Sequence, residues 1–296
     1  MKKCDENSVL QIITPDQALP VVFDSPHSGT HYPDDFRYGC ALDRLKTIED
    51  AYVDELFEQA PDYQAIFIKA LFPRSYIDVN RARNDIDEQL LNDPWPNALY
   101  GSIDPSPRSD GGIGLIPRLI RPGTPIYDRK LSANEVMNRI KNYYDPYHDT
   151  LCTTLDQAYY NYGHVYHINC HSMPSSSAYQ KRPTSLHKHP CDIVLGDKDG
   201  QTCERDFIYA LRDFWKNLGY RTTINDPFKG VELISAYAQP TRGRSSLQLE
   251  INRSLYMDEN TGDKNKDFEH IKQHCTDMIK LCAELSKDKK PRIAAD

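Results

Sequence analysis

Short apolar runs alternate with segments whose apolar residues recur every three or four positions, from one end of the chain to the other. Residues 19–23 (LPVVF) have the unbroken apolar character of a buried strand, and the run stops at Asp24-Ser25-Pro26. Over residues 43–60, Leu45, Ile48, Tyr52, Val53, Leu56 and Phe57 fall on one face of a single predicted helix. Residues 64–70 and 75–79 read as strands. Ser132 and Glu135 stand at capping-box spacing, so a helix starts there, and Pro146 should kink or break it before it continues to about residue 162. Strands follow at 164–169 and 192–195, a helix at 203–218, strands at 220–224 and 247–251, and a closing helix at 264–285. This alternation predicts an α/β sheet with helices on both faces and functional groups at strand ends. No repeat of fixed period and no Ser- or Gly-rich linker interrupts it, so residues 1–296 are expected to form a single domain. The stretch 84–128, rich in Pro, Gly and Asn, is too long for a plain connection and reads as a lid or wall over a site.

Composition narrows the partners. The chain has 296 residues, 39% of them hydrophobic, which is enough for a sizeable core. Its 43 acidic against 36 basic residues give a net charge of -7, which argues against nucleic acid or an anionic membrane and for a small-molecule or protein partner. The 8 cysteines include no CxxC pair, so neither a disulfide scaffold nor a thiolate zinc site is indicated, and a reducing compartment fits. The N-terminal sequence lacks a signal-peptide apolar run, and no stretch approaches the roughly 20 apolar residues of a membrane span. A cytoplasmic protein is the expectation.

Four segments place chemistry directly after apolar strands: PHSG at 26–29, VNR at 79–81, NCHSM at 169–173 and LEINR at 249–253. A hydrolytic zinc site needs three protein ligands from histidine and carboxylate and one open position, so His27, His171 and one acid would suffice. The acid is expected from Glu49-Asp50, 23 residues beyond His27 in the case of Asp50. Helical periodicity favours Glu49, which lies inside the stripe of Leu45, Tyr52 and Leu56, and leaves Asp50 at its edge; a solvated acidic patch continued by Asp54 and Glu55 is the alternative for both. Asp24, Asn169 and Ser172 are candidate partners for the far nitrogens of the ligating imidazoles. Glu250 shares a strand face with Gln248 and Asn252, and such a face belongs either to solvent or to a site, where Glu250 would be a general base. Arg81, beside Asn80, has the planar fork that grips a substrate carboxylate, or else pairs with Asp78 or Asp85 at the surface. Arg118, Arg121 and Arg129 are further carboxylate candidates. His187-Lys188-His189 follows Ser- and Pro-rich sequence and reads as an exposed turn outside the site.

The blocks DSPHSGTHYPDDF (24–36), EDAYVDELF (49–57), FPRSYIDVNRARND (72–85), PIYDRKLS (125–132), HINCHSMPS (167–175), DIVLGD (192–197), NDPFKGVELI (225–234) and LQLEINRSLYMDE (247–259) run through nearly the whole chain in order. On these the chain resembles the N-formylglutamate amidohydrolase family. The resemblance implies one α/β domain with a mostly mixed twisted sheet, like that of zinc carboxypeptidases, and a Zn2+ cofactor. It also implies hydrolysis of N-formyl-L-glutamate to formate and L-glutamate, in histidine degradation. Carried over residue by residue, it makes His27, Asp50 and His171 the zinc ligands and Glu250 the acid/base. Asp50, Val53 and Leu56 match the family's D-x-x-V-x-x-L pattern, so the resemblance chooses Asp50 over Glu49. Asn80-Arg81 is similar to the pair with which zinc carboxypeptidases hold a terminal carboxylate, and Arg118 and Arg129 are the candidates for a second carboxylate. The departure is the missing HxxE motif, since Thr30 stands where its glutamate would be. Two other functions are consistent with the same residues: a related hydrolase or peptidase acting on another N-acyl amino acid, and a non-catalytic amino-acid-binding protein. Retention of both histidines, Glu250 and Arg81 disfavours the last.

Overall fold

A computed structural model describes residues 8–181 and 190–289, and the His187-Lys188-His189 turn lies outside them. The strands are β1 (Leu10–Ile13), β2 (Val21–Ser25), β3 (Ile66–Ala70), β4 (Leu119–Arg121), β5 (Thr124–Pro125), β6 (Val165–Met173), β7 (Ile193–Gly196), β8 (Thr222–Ile224) and β9 (Arg244–Asn252). The helices are α1 (Leu42–Lys46), α2 (Val53–Leu56), α3 (Asn97–Tyr100), α4 (Pro107–Asp110), α5 (Ala133–Arg139), α6 (Asp145–Tyr162), α7 (Arg205–Asn217), α8 (Glu232–Tyr237) and α9 (Phe268–Asp288). Seven strands form one sheet in the order β1-β3-β2-β6-β9-β7-β8, and β4 and β5 form a small hairpin. The sheet is mixed: β2 and β9 flank β6 in parallel, while β7 runs antiparallel to β9.

Side chains alternate across a strand, so the register sorts these residues into two faces. Phe23, Ile168, Cys170, Leu247 and Leu249 share one; Asp24, His167, Asn169, His171, Ser246, Gln248 and Glu250 share the other. The apolar face meets helices: Tyr166 stacks on Phe207 of α7 with centroids 3.9 Å apart, and α9 packs against β2 and β6. On the opposite side, α8 packs against β6 and β9, and a Cβ on Gly230 would meet both Ile234 of α8 and the Cβ of Gln248. Helices therefore cover both faces, as the sequence predicts. The polar face is nonetheless buried, and every residue of β6 is enclosed.

Contacts group the chain into two compact units. One comprises the described parts of Met1–Gln11, Pro26–Ala51 and Lys69–Leu151, and the other Ile12–Ser25, Tyr52–Ile68 and the described parts of Cys152–Asp296. Among the described residues the cysteines are free and no helix is long and apolar enough to cross a membrane.

Several elements differ from the sequence prediction. The single helix over 43–60 is two short ones: α1 stops at Lys46, and α2 begins at Val53 only after Tyr52, left-handed at φ 64°, has turned the chain. Residues 75–79 form a buried turn instead of a strand. The stretch 84–128 holds α3, α4 and the hairpin. The Ser132–Glu135 capping box is present. Pro146, which has no N–H to donate, is accommodated without a break by a π-helical turn at Ile140–Tyr144 just before it.

Candidate metal centre

β2 ends at Ser25 and delivers His27 into the interior, 1% exposed. The following segment lies flat on Leu71 and Phe72: a Cβ on Gly29 would stand 2.3 Å from the Phe72 carbonyl oxygen, so only glycine fits. Asp50 is tied to this segment twice, its N–H donating to the His27 carbonyl at 3.1 Å and its own carbonyl accepting from Ser28 Oγ at 2.8 Å. The left-handed Tyr52 then turns the chain away. These contacts leave Asp50 Oδ2 3.3 Å from His27 Nδ1. Glu49, the residue that periodicity favours, instead accepts the Tyr32 hydroxyl.

The other nitrogen of His27 is held by Asp78, which the sequence reading named only as an alternative partner of Arg81. Asp78 Oδ1 accepts from His27 Nε2 at 2.7 Å and from the Asn80 N–H at 2.9 Å, and Oδ2 accepts from Arg74 Nη2 at 2.7 Å. Burial alone would raise the Asp78 carboxyl, but His27, Arg74 and Arg81 beside it outweigh that and hold the group well below the usual carboxylate range. A carboxylate there can only accept, so His27 Nε2 carries a proton, and Nδ1 is the nitrogen on the Asp50 side. The turn carrying Asp78 is pinned by Arg139, which donates to the Tyr76 carbonyl at 2.9 Å and lies 4.1 Å from the Tyr76 ring centroid.

Arg81 is buried, not a surface residue: Nε donates to the Ile113 carbonyl at 3.1 Å and Nη1 to the Asn80 carbonyl at 2.9 Å, with Asp78 Oδ2 3.8 Å from Nη2. Burial lowers its pKa to about 10, partly offset by Asp78.

On the sheet, His171 sits within β6, two residues before its end, not beyond it as predicted. Its Nε2 lies 2.6 Å from Asn169 Oδ1, and Asn169 Nδ2 donates to Asp24 at 2.9 Å. Ser172 faces the other way and accepts from Arg253 Nε, so it is no partner of an imidazole. Glu250 stands opposite His171 in the β6–β9 register and is 7% exposed, which removes the solvent alternative; Gln248 Nε2 donates to its Oε1 at 2.7 Å. One ligand atom from each of His27, Asp50 and His171 lies within 4.8 Å of the other two, and all three residues are buried.

Arg118 and Arg129 line a different cavity of about 470 Å3, together with Gln89, Tyr127 and Lys130, and His27, Asp50 and Arg81 are not among its walls. Arg118 is paired with Asp87 at 2.7 Å and Arg129 with Glu135 at 2.8 Å, and the exposed Arg121 donates from Nε to Thr124 Oγ1 at 3.4 Å. The place of Asp78 before Asn80 and Arg81 marked it as a partner of Arg81, but its contact with His27, 51 residues away, gave no signal. His167 gave no signal, because a polar residue alternating with apolar ones reads as solvent-facing.

The N-formylglutamate amidohydrolase family model matches residues 19–257. The N-formylglutamate deformylase of Pseudomonas putida is 26% identical over 246 residues, covering 81% of this chain and 83% of that protein. The crystal structure of N-formylglutamate amidohydrolase from Ralstonia eutropha JMP134 superposes with a TM-score of 0.88 at 41% identity, covering 94% of this chain and 98% of that one. A gene product of Agrobacterium tumefaciens shares the fold at a TM-score of 0.64 and 15% identity, covering 95% of each chain. The chain thus belongs to the N-formylglutamate amidohydrolase family.

Proposed function

We propose that the protein is a zinc-dependent deformylase that hydrolyses N-formyl-L-glutamate to formate and L-glutamate, with His27, Asp50 and His171 as the metal ligands. The carrying observation is the convergence of two imidazole nitrogens and one carboxylate oxygen within 4.8 Å. Two histidines and a carboxylate are a donor set of hydrolytic zinc, with a fourth position left for reactants. A tetrahedral ion with bonds of about 2.1 Å separates its ligand atoms by about 3.4 Å, and His27 Nδ1 and Asp50 Oδ2 already stand 3.3 Å apart. Both imidazoles also hydrogen-bond through their far nitrogens, to Asp78 and Asn169, as metal-ligating histidines do. When bound, the ion supplies Lewis-acid assistance to the formyl carbonyl and to the attacking water.

The remaining chemistry belongs to the side chains. Glu250, oriented by Gln248, takes the proton of the attacking water and returns it to the leaving amine nitrogen, which departs as the amino group of glutamate. Asn80 and Arg81 hold the substrate α-carboxylate. The backbone carbonyls of Ile113 and Asn80 fix the Arg81 fork, so little of its side-chain entropy is lost on binding. A γ-carboxylate would have to compete with Asp87 for Arg118 or with Glu135 for Arg129. The free thiols fit a reducing, cytoplasmic setting.

Release of the free amino acid from a panel of N-acyl amino acids tests the reading. N-formyl-L-glutamate is expected to lead the panel; a strong preference for a larger acyl group or a neutral amino acid would assign the site to a different N-acyl substrate.

A further inference from the structure

The polar face of the sheet holds a chain of hydrogen bonds that the deformylation chemistry does not itself use. Ser246 Oγ lies 3.1 Å from His167 Nδ1, His167 Nε2 lies 2.8 Å from Asp24 Oδ1, and Asn169 Nδ2 lies 2.9 and 3.1 Å from the two Asp24 oxygens. Asn169 Oδ1 then reaches His171 Nε2 at 2.6 Å. Asp24, His167 and Asn169 are 0% exposed, and His171 and Ser246 2%. Burying such groups is costly unless each donor meets an acceptor, and the other face of the same strands shows that aliphatic residues fit this sheet.

The network has a direction. Asp24, as a carboxylate, can only accept, and two donors converge on it. The Asn169 amide must therefore turn its NH2 toward Asp24 and its oxygen toward His171. An amide oxygen accepts and never donates, so His171 Nε2 must carry the proton and Nδ1 the lone pair. The flipped amide would place its NH2 on His171 Nε2, require a donor at position 24, and leave the proton on His171 Nδ1, where it would block ligation through that atom.

Resting on the metal-centre reading above, we infer that Asp24, held by His167, acts through Asn169 to fix the His171 tautomer that offers Nδ1 to the metal. These are positioning residues, since none of them is a ligand in that reading. The relay corresponds in kind to Asp78 on His27, but it is made indirectly, through an amide, so it is open to inversion by changing a single atom type.

The test is Asp24→Asn, which keeps the shape and supplies the donor that the flipped amide needs. Two readouts are taken: the His171 tautomer in the metal-free protein, from 15N shifts of the imidazole nitrogens, and zinc affinity, from competition with a chromophoric chelator. The expected result is a shift of His171 toward the Nδ1–H form and a 10- to 100-fold loss of zinc affinity, while the circular dichroism spectrum is retained. Asn169→Leu, which removes the acceptor, should release the tautomer and weaken zinc similarly, and it carries the test if Asp24→Asn does not fold. Ser246→Ala, at the far end of the relay, should leave both readouts near wild type. An unchanged tautomer together with unchanged affinity in the folded variants overturns the inference. If wild-type protein binds no zinc, the metal-centre reading fails, and the 15N measurement alone still decides whether Asp24 sets the tautomer.

Discussion

Removing the carboxylate of Asp78 should damage the metal centre more than the loss of one surface ion pair would. In Asp78→Ala, three donors lose their acceptor: His27 Nε2 at 2.7 Å, Arg74 Nη2 at 2.7 Å and the Asn80 N–H at 2.9 Å. Hydrogen bonds to a charged group contribute about 1.5–3 kcal/mol each. Arg74 is 21% exposed and can be rehydrated, so its share is small, and the buried remainder gives a destabilisation of about 3–5 kcal/mol, in line with broken buried pairs. Asp78→Asn keeps one acceptor for His27 and loses mainly the charge, for about 1–2 kcal/mol. Zinc affinity should fall about 10- to 100-fold in both variants because the His27 ring is no longer held. Urea unfolding at constant m-value gives the first quantity and chelator competition on the folded protein the second. If both variants bind zinc as tightly as wild type while unfolding earlier, Asp78 only supports the turn and the argument that it orients His27 is refuted.

Glu250→Gln should keep zinc and lower kcat by roughly 10²- to 10⁴-fold, the usual contribution of general acid–base catalysis; near-normal turnover would return Glu250 to a buried polar residue of the sheet. Arg81→Ala should cost about 2–4 kcal/mol in kcat/KM for N-formyl-glutamate, roughly 30- to 900-fold, and little for its α-amide; an unchanged acid-to-amide ratio would place the clamp elsewhere. Burial works to raise the pKa of Glu135, but its hydrogen bonds with Arg129 and Ser132 outweigh that and lower it from 4.5 to about 2. The stabilisation is therefore present above pH 4.5 and lost as the pH falls toward 2. Its partial exposure reduces the contribution to about 1 kcal/mol, so Glu135→Gln should flatten the acid limb of the stability curve by about that amount, as read by denaturant titration at several pH values.

The main strands and the end helix were legible because their apolar runs and periodicity are strong. The third ligand was not. Periodicity chose Glu49 on the premise of a continuous helix, but α1 ends at Lys46 and α2 begins only after the left-handed Tyr52, so Glu49 and Asp50 lie outside any helix and a face argument has nothing to act on. The D-x-x-V-x-x-L resemblance chose Asp50 without that premise, and it is Asp50 that lies beside His27. β6 was read as ending at 169 because polar residues follow; it continues to Met173 since its polar face is enclosed and its donors are matched within the sheet. His167 and Asp24 stayed hidden for the same reason, as a polar–apolar alternation does not tell a solvent face from a buried network. Arg118 and Arg129 stood out as cations, but Asp87 lies 31 residues from Arg118, and Glu135, though near Arg129, was legible only as the capping-box partner of Ser132.

The most direct test of the central claim is formate release from N-formyl-L-glutamate by protein stripped with a chelator and then titrated with Zn2+, with bound metal measured alongside. Activity should be lost on stripping and return linearly until about one equivalent is bound, and His27→Ala and His171→Ala should each abolish both binding and return. Full activity in the stripped protein, or full metal retention in both histidine variants, would contradict the account.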